Sequence, residues 1–135
     1  MQVKTPIIAL VDDDKVFQLT TSRTIQAAKL TDRILQFENG EEALIFLKEH
    51  AMETDTLPDY IFLDINMPFV DGWMFLDDFA TLKTDLQKDI SIYMVSSSID
   101  PKDVNRAKGN KNVQDYIIKP VSREKLIAIL KREVA

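Results

Sequence analysis

Ile61-Phe62-Leu63-Asp64-Ile65-Asn66-Met67-Pro68 is the stretch that decides the fold, because an apolar run ends there on one carboxylate followed by turn residues. With Tyr60 in front, the run has no polar alternation, which is the pattern of a strand buried on both faces, and Met67-Pro68 stops it. Asp64 then stands at the carboxyl end of a strand. In open parallel α/β sheets ligands and chemistry collect at that edge, so an acid there has a functional reading from its placement. Taken alone, an acid after a strand is more often a turn or cap residue.

The same pattern occurs toward the amino terminus, where the apolar run Ile7 to Val11 ends in Asp12, Asp13 and Asp14. From Asp14 the sequence predicts a helix to about Lys29, with Val16, Phe17, Thr20, Thr24, Ala27 and Ala28 facing inward. Arg33 to Phe37 reads as a second strand, and Asn39-Gly40 turns the chain into an amphipathic helix carrying Ala43, Leu44, Leu47 and Ala51. Met52 to Pro58 is a polar linker into the central strand. Beyond that strand, Asp71-Gly72 opens a helix with Phe75, Leu76, Phe79 and Leu82 on one side. Ile90 to Val95 reads as a fourth strand ending in Ser96, Ser97 and Ser98. The next segment, Asp100 to Asn110, has only Val104 and Ala107 as apolar anchors, so any helix there is weakly held. Val113 to Ile118 runs into Lys119-Pro120, and a last helix from Ser122 carries Leu126, Ile129, Leu130 and Val134. Strands alternating with helices predict an α/β fold: a doubly wound, five-stranded parallel sheet with right-handed crossovers.

At 135 residues the expectation is one domain, 1–135, with no room for a separate output domain. Hydrophobic residues at 45% and charged residues at 29% describe a globular chain rather than a disordered one. With no cysteine, disulfides, thiolate nucleophiles and zinc-cysteine sites are excluded together, and with one histidine, His50, metal chemistry must rest on oxygen ligands. A net charge of −5 without a basic cluster argues against nucleic acid as a direct partner. No apolar run approaches the ~18 residues of a membrane span, and no signal peptide is recognisable, so a cytoplasmic location without membrane attachment is expected.

If the alternation holds, the strand ends bring Asp12, Asp13, Asp64, Ser96 and Lys119 to one edge of the sheet. Carboxylates held there repel, since two unit charges ~4 Å apart interact by about 4 kcal/mol at an effective dielectric near 20. A divalent cation with all-oxygen coordination compensates, and the scarcity of His and Cys favours Mg²⁺ over zinc. A lysine and a hydroxyl beside such a centre suit a phosphoryl group, with Asp64 placed to attack phosphorus. Asp14 is better read as a helix cap than as a ligand.

Leu-Val-Asp-Asp-Asp at 10–14, Leu-Asp-Ile-Asn-Met-Pro at 63–68, Asp71-Gly72, Met94-Val95-Ser96-Ser97 and Tyr116-Ile117-Ile118-Lys119-Pro120 together resemble the CheY-like receiver domain of two-component response regulators, over roughly residues 6–132. The resemblance implies the flavodoxin-like (βα)5 strand order 2-1-3-4-5. It also implies that Asp64 accepts a phosphoryl group from a histidine kinase or histidine phosphotransfer protein. By the same resemblance Asp13 would bind Mg²⁺ directly together with Asp64 and the Asn66 backbone carbonyl, and Asp12 would act through water. Lys119 and Ser96 would bind the phosphoryl group, with Ser96 favoured over Ser97 and Ser98 because it directly follows the strand. Tyr116 would be the switch aromatic. Such a chain is expected to be a switch rather than an enzyme, with a downstream protein as target, and either a monomer or a phosphorylation-dependent dimer.

Three other readings compete. A haloacid-dehalogenase-like phosphatase wants a second acid two positions after its nucleophile, where this chain has Asn66. A flavin or nucleotide binder wants a glycine-rich loop, and glycine occurs only at 40, 72 and 109. A receiver-like module that interacts without being phosphorylated has no sequence feature against it beyond the completeness of the acceptor set.

Overall fold

The computed structural model describes residues 5–131. Five parallel strands, β1 (Ile8–Val11), β2 (Ile34–Phe37), β3 (Tyr60–Leu63), β4 (Ser91–Ser96) and β5 (Val113–Ile118), form one sheet in the order β2-β1-β3-β4-β5. Four helices cross between them, α1 (Lys15–Ala27), α2 (Gly40–Glu49), α3 (Gly72–Leu82) and α4 (Pro101–Lys108), and α5 (Arg123–Leu130) follows the last strand. One 3-10 turn, Lys83–Asp85, extends α3. This is the flavodoxin-like arrangement expected. Val134, expected in the last helix, lies outside the described residues.

The continuous apolar strands work because both faces of the sheet are covered. Ala9 and Val11 of β1, Ile61 and Leu63 of β3, and Ile92 and Met94 of β4 pack with α2 and α3. Ile8 and Leu10, Tyr60 and Phe62, and Tyr93 and Val95 point the other way, onto α1 and α5. Phe62, Phe75 and Phe79 are wholly enclosed, each burial being worth about 1.5–3 kcal/mol. Phe75 and Phe79 stack within one cluster with ring centroids 6.2 Å apart.

Local chemistry starts the helices where the sequence indicates. Asp14 caps α1 by accepting from the N–H groups of Val16 and Phe17 at 3.0 and 3.1 Å. Asn39, Asp71, Asp100 and Ser122 cap α2 to α5 in the same way. Ala51 falls beyond α2, whose C-cap is His50, yet still packs on the core. The linker before β3 is less polar than expected, because Leu57 is completely buried.

The inward face of α1 differs from the expectation. Phe17, Gln18, Thr21 and Ile25 are buried, while Val16 is 70% exposed and Thr20 and Ala27 face solvent. The helix is rotated because its first turns lie over the carboxyl ends of β1 and β2, where backbone carbonyls need donors. Gln18 supplies them, so a polar residue points in and an apolar one points out. Among the described residues no helix is long and apolar enough to cross a membrane.

Candidate functional site

The acids sit one step past their strands, and the sheet's hydrogen bonding holds them there. Asp12 N–H donates to the Phe37 carbonyl and Asp64 N–H to the Val11 carbonyl, both at 3.0 Å, so the ladder continues into the residues that carry the carboxylates. Asp12 and Asp64 are buried and Asp13 is exposed, and oxygens of the three carboxylates lie within 4.8 Å of one another. Each buried acid is oriented by its own turn: Asp12 Oδ1 accepts from Asp14 N–H and Asp64 Oδ1 from Ile65 N–H, both at 2.9 Å.

Lys119 enters from the end of β5, where its N–H donates to the Ser96 carbonyl at 2.9 Å and its peptide bond to Pro120 is cis. Its ammonium lies 2.8 Å from Asp12 Oδ2, 3.8 Å from Asp64 Oδ1 and 3.9 Å from Asp14 Oδ2. The Phe17 ring flanks it, with the nitrogen 4.7 Å from the centroid.

One ammonium does not balance this cluster. Burial, and then the neighbouring Asp12 charge, push the Asp64 carboxyl up to about 7 against the opposing pull of Lys119 and the Ile65 N–H. Burial also raises Asp12, although Lys119 and the Asp14 N–H pull it down. Asp12 Oδ2, fully enclosed, takes no hydrogen bond of good geometry; its 2.8 Å approach to Lys119 is an ion contact. Three carboxylates with their oxygens within 4.8 Å of one another and a single ammonium among them leave excess negative charge in an all-oxygen cluster, which fits a small, hard divalent cation and does not suit zinc. Asn66 is exposed two residues beyond Asp64.

Ser96 ends β4, completely buried, and its Oγ accepts from Ser98 N–H at 3.1 Å. Tyr116 is half-buried, and its hydroxyl donates to the Ser98 carbonyl at 2.9 Å, so the aromatic engages the β4–α4 loop. Ser98 Oγ in turn donates to Asp103 Oδ2 at 2.6 Å, and Asp100 N–H donates to that Oγ at 3.3 Å. Asp12, Asp13, Asp64 and Lys119 thus share one pocket, Ser96 adjoins it through the Lys119 backbone, and Tyr116 is joined to Ser96 through Ser98. Sequence reasoning missed Gln18, whose partners are backbone carbonyls, and named Ser98 only as an alternative hydroxyl to Ser96, not as the link to Tyr116 and Asp103. It also read Gly72 only as a helix opener. A Cβ there would collide with the Asp64 carbonyl oxygen and lie 2.9 Å from Ile65 Cα.

Acids beyond β1 and β3 and a lysine beyond β5 thus make one acidic pocket, able to hold a divalent cation, at the carboxyl edge of a doubly wound parallel sheet. The model of the response regulator receiver domain matches residues 8–131, and the chain belongs to that CheY-like family of two-component signalling. It is 31% identical over 120 residues to the probable methanogenesis regulatory protein FilR2 of Methanothrix harundinacea, covering 89% of this chain and 76% of that protein. It is 30% identical over 129 residues to the sensor histidine kinase CheAY of Helicobacter pylori, covering 95% of this chain but 15% of that protein. Several other matched regulators are about twice as long as the matched region. The crystal structure of a two component response regulator from Cytophaga hutchinsonii superimposes with a TM-score of 0.86 at 26% identity, over 98% of both chains. Receiver domains bind Mg²⁺ at an acidic pocket and interact with histidine kinases or phosphotransfer proteins, and the Asp12, Asp13, Asp64 cluster is compatible with such a site.

Proposed function

We propose that Asp64 is the phosphoacceptor of this receiver and that its modification is read by another protein. The observation that carries this is the buried Asp64 carboxylate, 3.8 Å from the Lys119 ammonium and within 4.8 Å of two further carboxylates. A carboxylate oxygen of Asp64 attacks phosphorus, and the bond from phosphorus to the donor's imidazole nitrogen breaks. The electron pair leaves with that nitrogen, which takes up a proton from solvent, and an aspartyl phosphate remains. A divalent cation bound here would supply charge neutralisation at the phosphoryl oxygens. Asp13, Asp64 and the Asn66 carbonyl would hold it directly. Asp12, already engaged by Lys119 and the Asp14 N–H, would act through water.

Lys119 has only to exchange Asp12 for the new dianion to bind it. Ser96 must release Ser98 N–H for its hydroxyl to turn toward the phosphoryl group, and Ser98 also holds Tyr116 and Asp103 of α4. The switch therefore acts on the β4–α4 loop and α4, a population shift between two arrangements of one weakly anchored element. The proposed output face is α4, β5 and α5, contacted by a separate downstream protein. The phosphodonor is a histidine kinase or phosphotransfer protein docking over the pocket. In support, Val16, Phe69 and Ile99, from the segments following β1, β3 and β4, are 70%, 82% and 78% exposed along this edge.

Incubation with Mg²⁺ and acetyl phosphate, followed by intact-mass measurement, tests the acceptor. One added phosphoryl group, lost with EDTA and in Asp64→Ala, is expected. A native chain that stays unmodified while a known receiver reacts in the same tube would leave the non-phosphorylated module as the better account.

A further inference from the structure

Gln18 lies in the first turns of α1 and is 9% exposed. The two hydrogens of its Nε2 are shared among three carbonyls at the carboxyl ends of β1 and β2: Leu10 at 3.0 Å, Asp12 at 3.1 Å and Phe37 at 3.1 Å. That convergence fixes the amide orientation, because the opposite flip would set Oε1 against three other oxygens. The cost is visible on the same side chain, where Oε1 is buried with no hydrogen-bond partner among the described residues. Leu or Met would avoid that cost, so the residue is used for its donors.

Those donors grip the Asp12 peptide. Asp12 N–H donates to the Phe37 carbonyl, and Gln18 bridges that same carbonyl to the carbonyl of Asp12, closing a ring around the turn that launches Asp12 and Asp13. A cleft of about 330 Å³, lined in part by Lys15, Leu19, Phe37 and Glu38, opens beside Asp12.

We propose that Gln18 is a positioning residue for the Asp12–Asp13 carboxylate pair and thereby sets the affinity of the site for a divalent cation. This rests on the reading that those carboxylates hold the cation. Gln18 touches neither the cation nor the phosphoryl group; it fixes the peptide from which both acids project. A supporting group of this kind is worth about tenfold or more in metal affinity.

Isothermal titration of Mg²⁺ into the unphosphorylated full chain tests this with Gln18→Met, which keeps the volume and removes the donors, and with Asp13→Ala as the control. The expected result is a Kd raised about tenfold in Gln18→Met, with the phosphorylation rate at saturating Mg²⁺ within about twofold of the parent. A merely structural residue would lower that saturated rate together with the fraction folded. Unchanged affinity in a folded Gln18→Met, with binding lost in Asp13→Ala, overturns the assignment of Gln18 alone. Equal affinity in the parent and Asp13→Ala overturns the cation-site reading on which it stands. Gln18→Leu, also donor-free, serves in the same comparison should the Met variant not fold.

Discussion

Asp64 keeps its carboxylate where burial and the Asp12 charge both oppose ionisation, which makes its charge a burden on the folded state. Its folded pKa is raised to about 7 from 3.8, so between those values the native state binds the proton that the unfolded chain has released. Stability from this group therefore falls as pH rises through that window, and the penalty is complete above it. Asp64→Asn removes the penalty. In metal-free buffer the variant should be more stable than the parent at pH 8, by about 1–3 kcal/mol, and the margin should vanish toward pH 4. Calorimetric melting of the two proteins across pH checks this; parallel curves would mean that burial of Asp64 carries no such cost. The acids and Lys119 were legible in the sequence because each directly follows an apolar run, so finding the strand end found the residue. The roles of Gln18 and Ser98 were not. A glutamine in a helix reads as solvated and a serine in a run of three reads as a turn, and their roles exist only where carbonyls and a carboxylate converge in space.

Helix placement transmits the geometry of the Asp64 turn. The start of α3 rests directly on that turn, with Gly72 N–H donating to the Ile65 carbonyl at 2.8 Å and no space for a Cβ against the Asp64 carbonyl. The constraint is close approach, since no glycine here has a positive φ. Gly72→Ala must push α3 or the Asp64 backbone aside, at a cost of about 1–3 kcal/mol. Urea unfolding should show that loss, with slower phosphorylation of the folded fraction; an unchanged midpoint and rate would show that the turn yields freely. The dipeptide Asp71-Gly72 revealed the helix start but not this contact, because a turn signal does not say what lies opposite it. The face of α1 was misread for a related reason. Apolar periodicity assumes that a helix buries hydrocarbon, but α1 buries Gln18, which serves strand-end carbonyls, and leaves Val16 outside. Phe69, held at φ 66° and 82% exposed, keeps an aromatic in the left-handed region beside the Asp64 turn.

Across the molecule, apolar burial is divided unevenly between helices, and that division says where motion is cheap. Alternating strand residues feed two clusters, one under α2 and α3 and the other under α1 and α5, and this much follows from continuous apolar strands alternating with amphipathic helices. Strand order does not follow from that pattern, since several crossovers satisfy it, and here it came with the family resemblance. The sparse apolar content of Asp100 to Asn110 did translate: α4 buries only Ala107. What otherwise holds α4 is polar: the Asp100 cap, the Ser98–Asp103 bond at 2.6 Å, and Arg106 stacked 4.3 Å from the Trp73 ring of α3. Such contacts are few and individually small, so local opening of α4 should lie well below global unfolding. In amide hydrogen exchange, α4 is expected to exchange faster than α3. Ser98→Ala, losing a bond worth about 1 kcal/mol, should speed α4 by about fivefold while leaving α3 and the unfolding midpoint near the parent values. Beryllofluoride with Mg²⁺ should alter exchange in the β4–α4 loop and α4 but not in α3, because the Ser96–Ser98 link ends on the former. Should α4 prove as protected as α3, or should Ser98→Ala affect both alike, α4 would be part of the rigid core and the switch would have to act on another element.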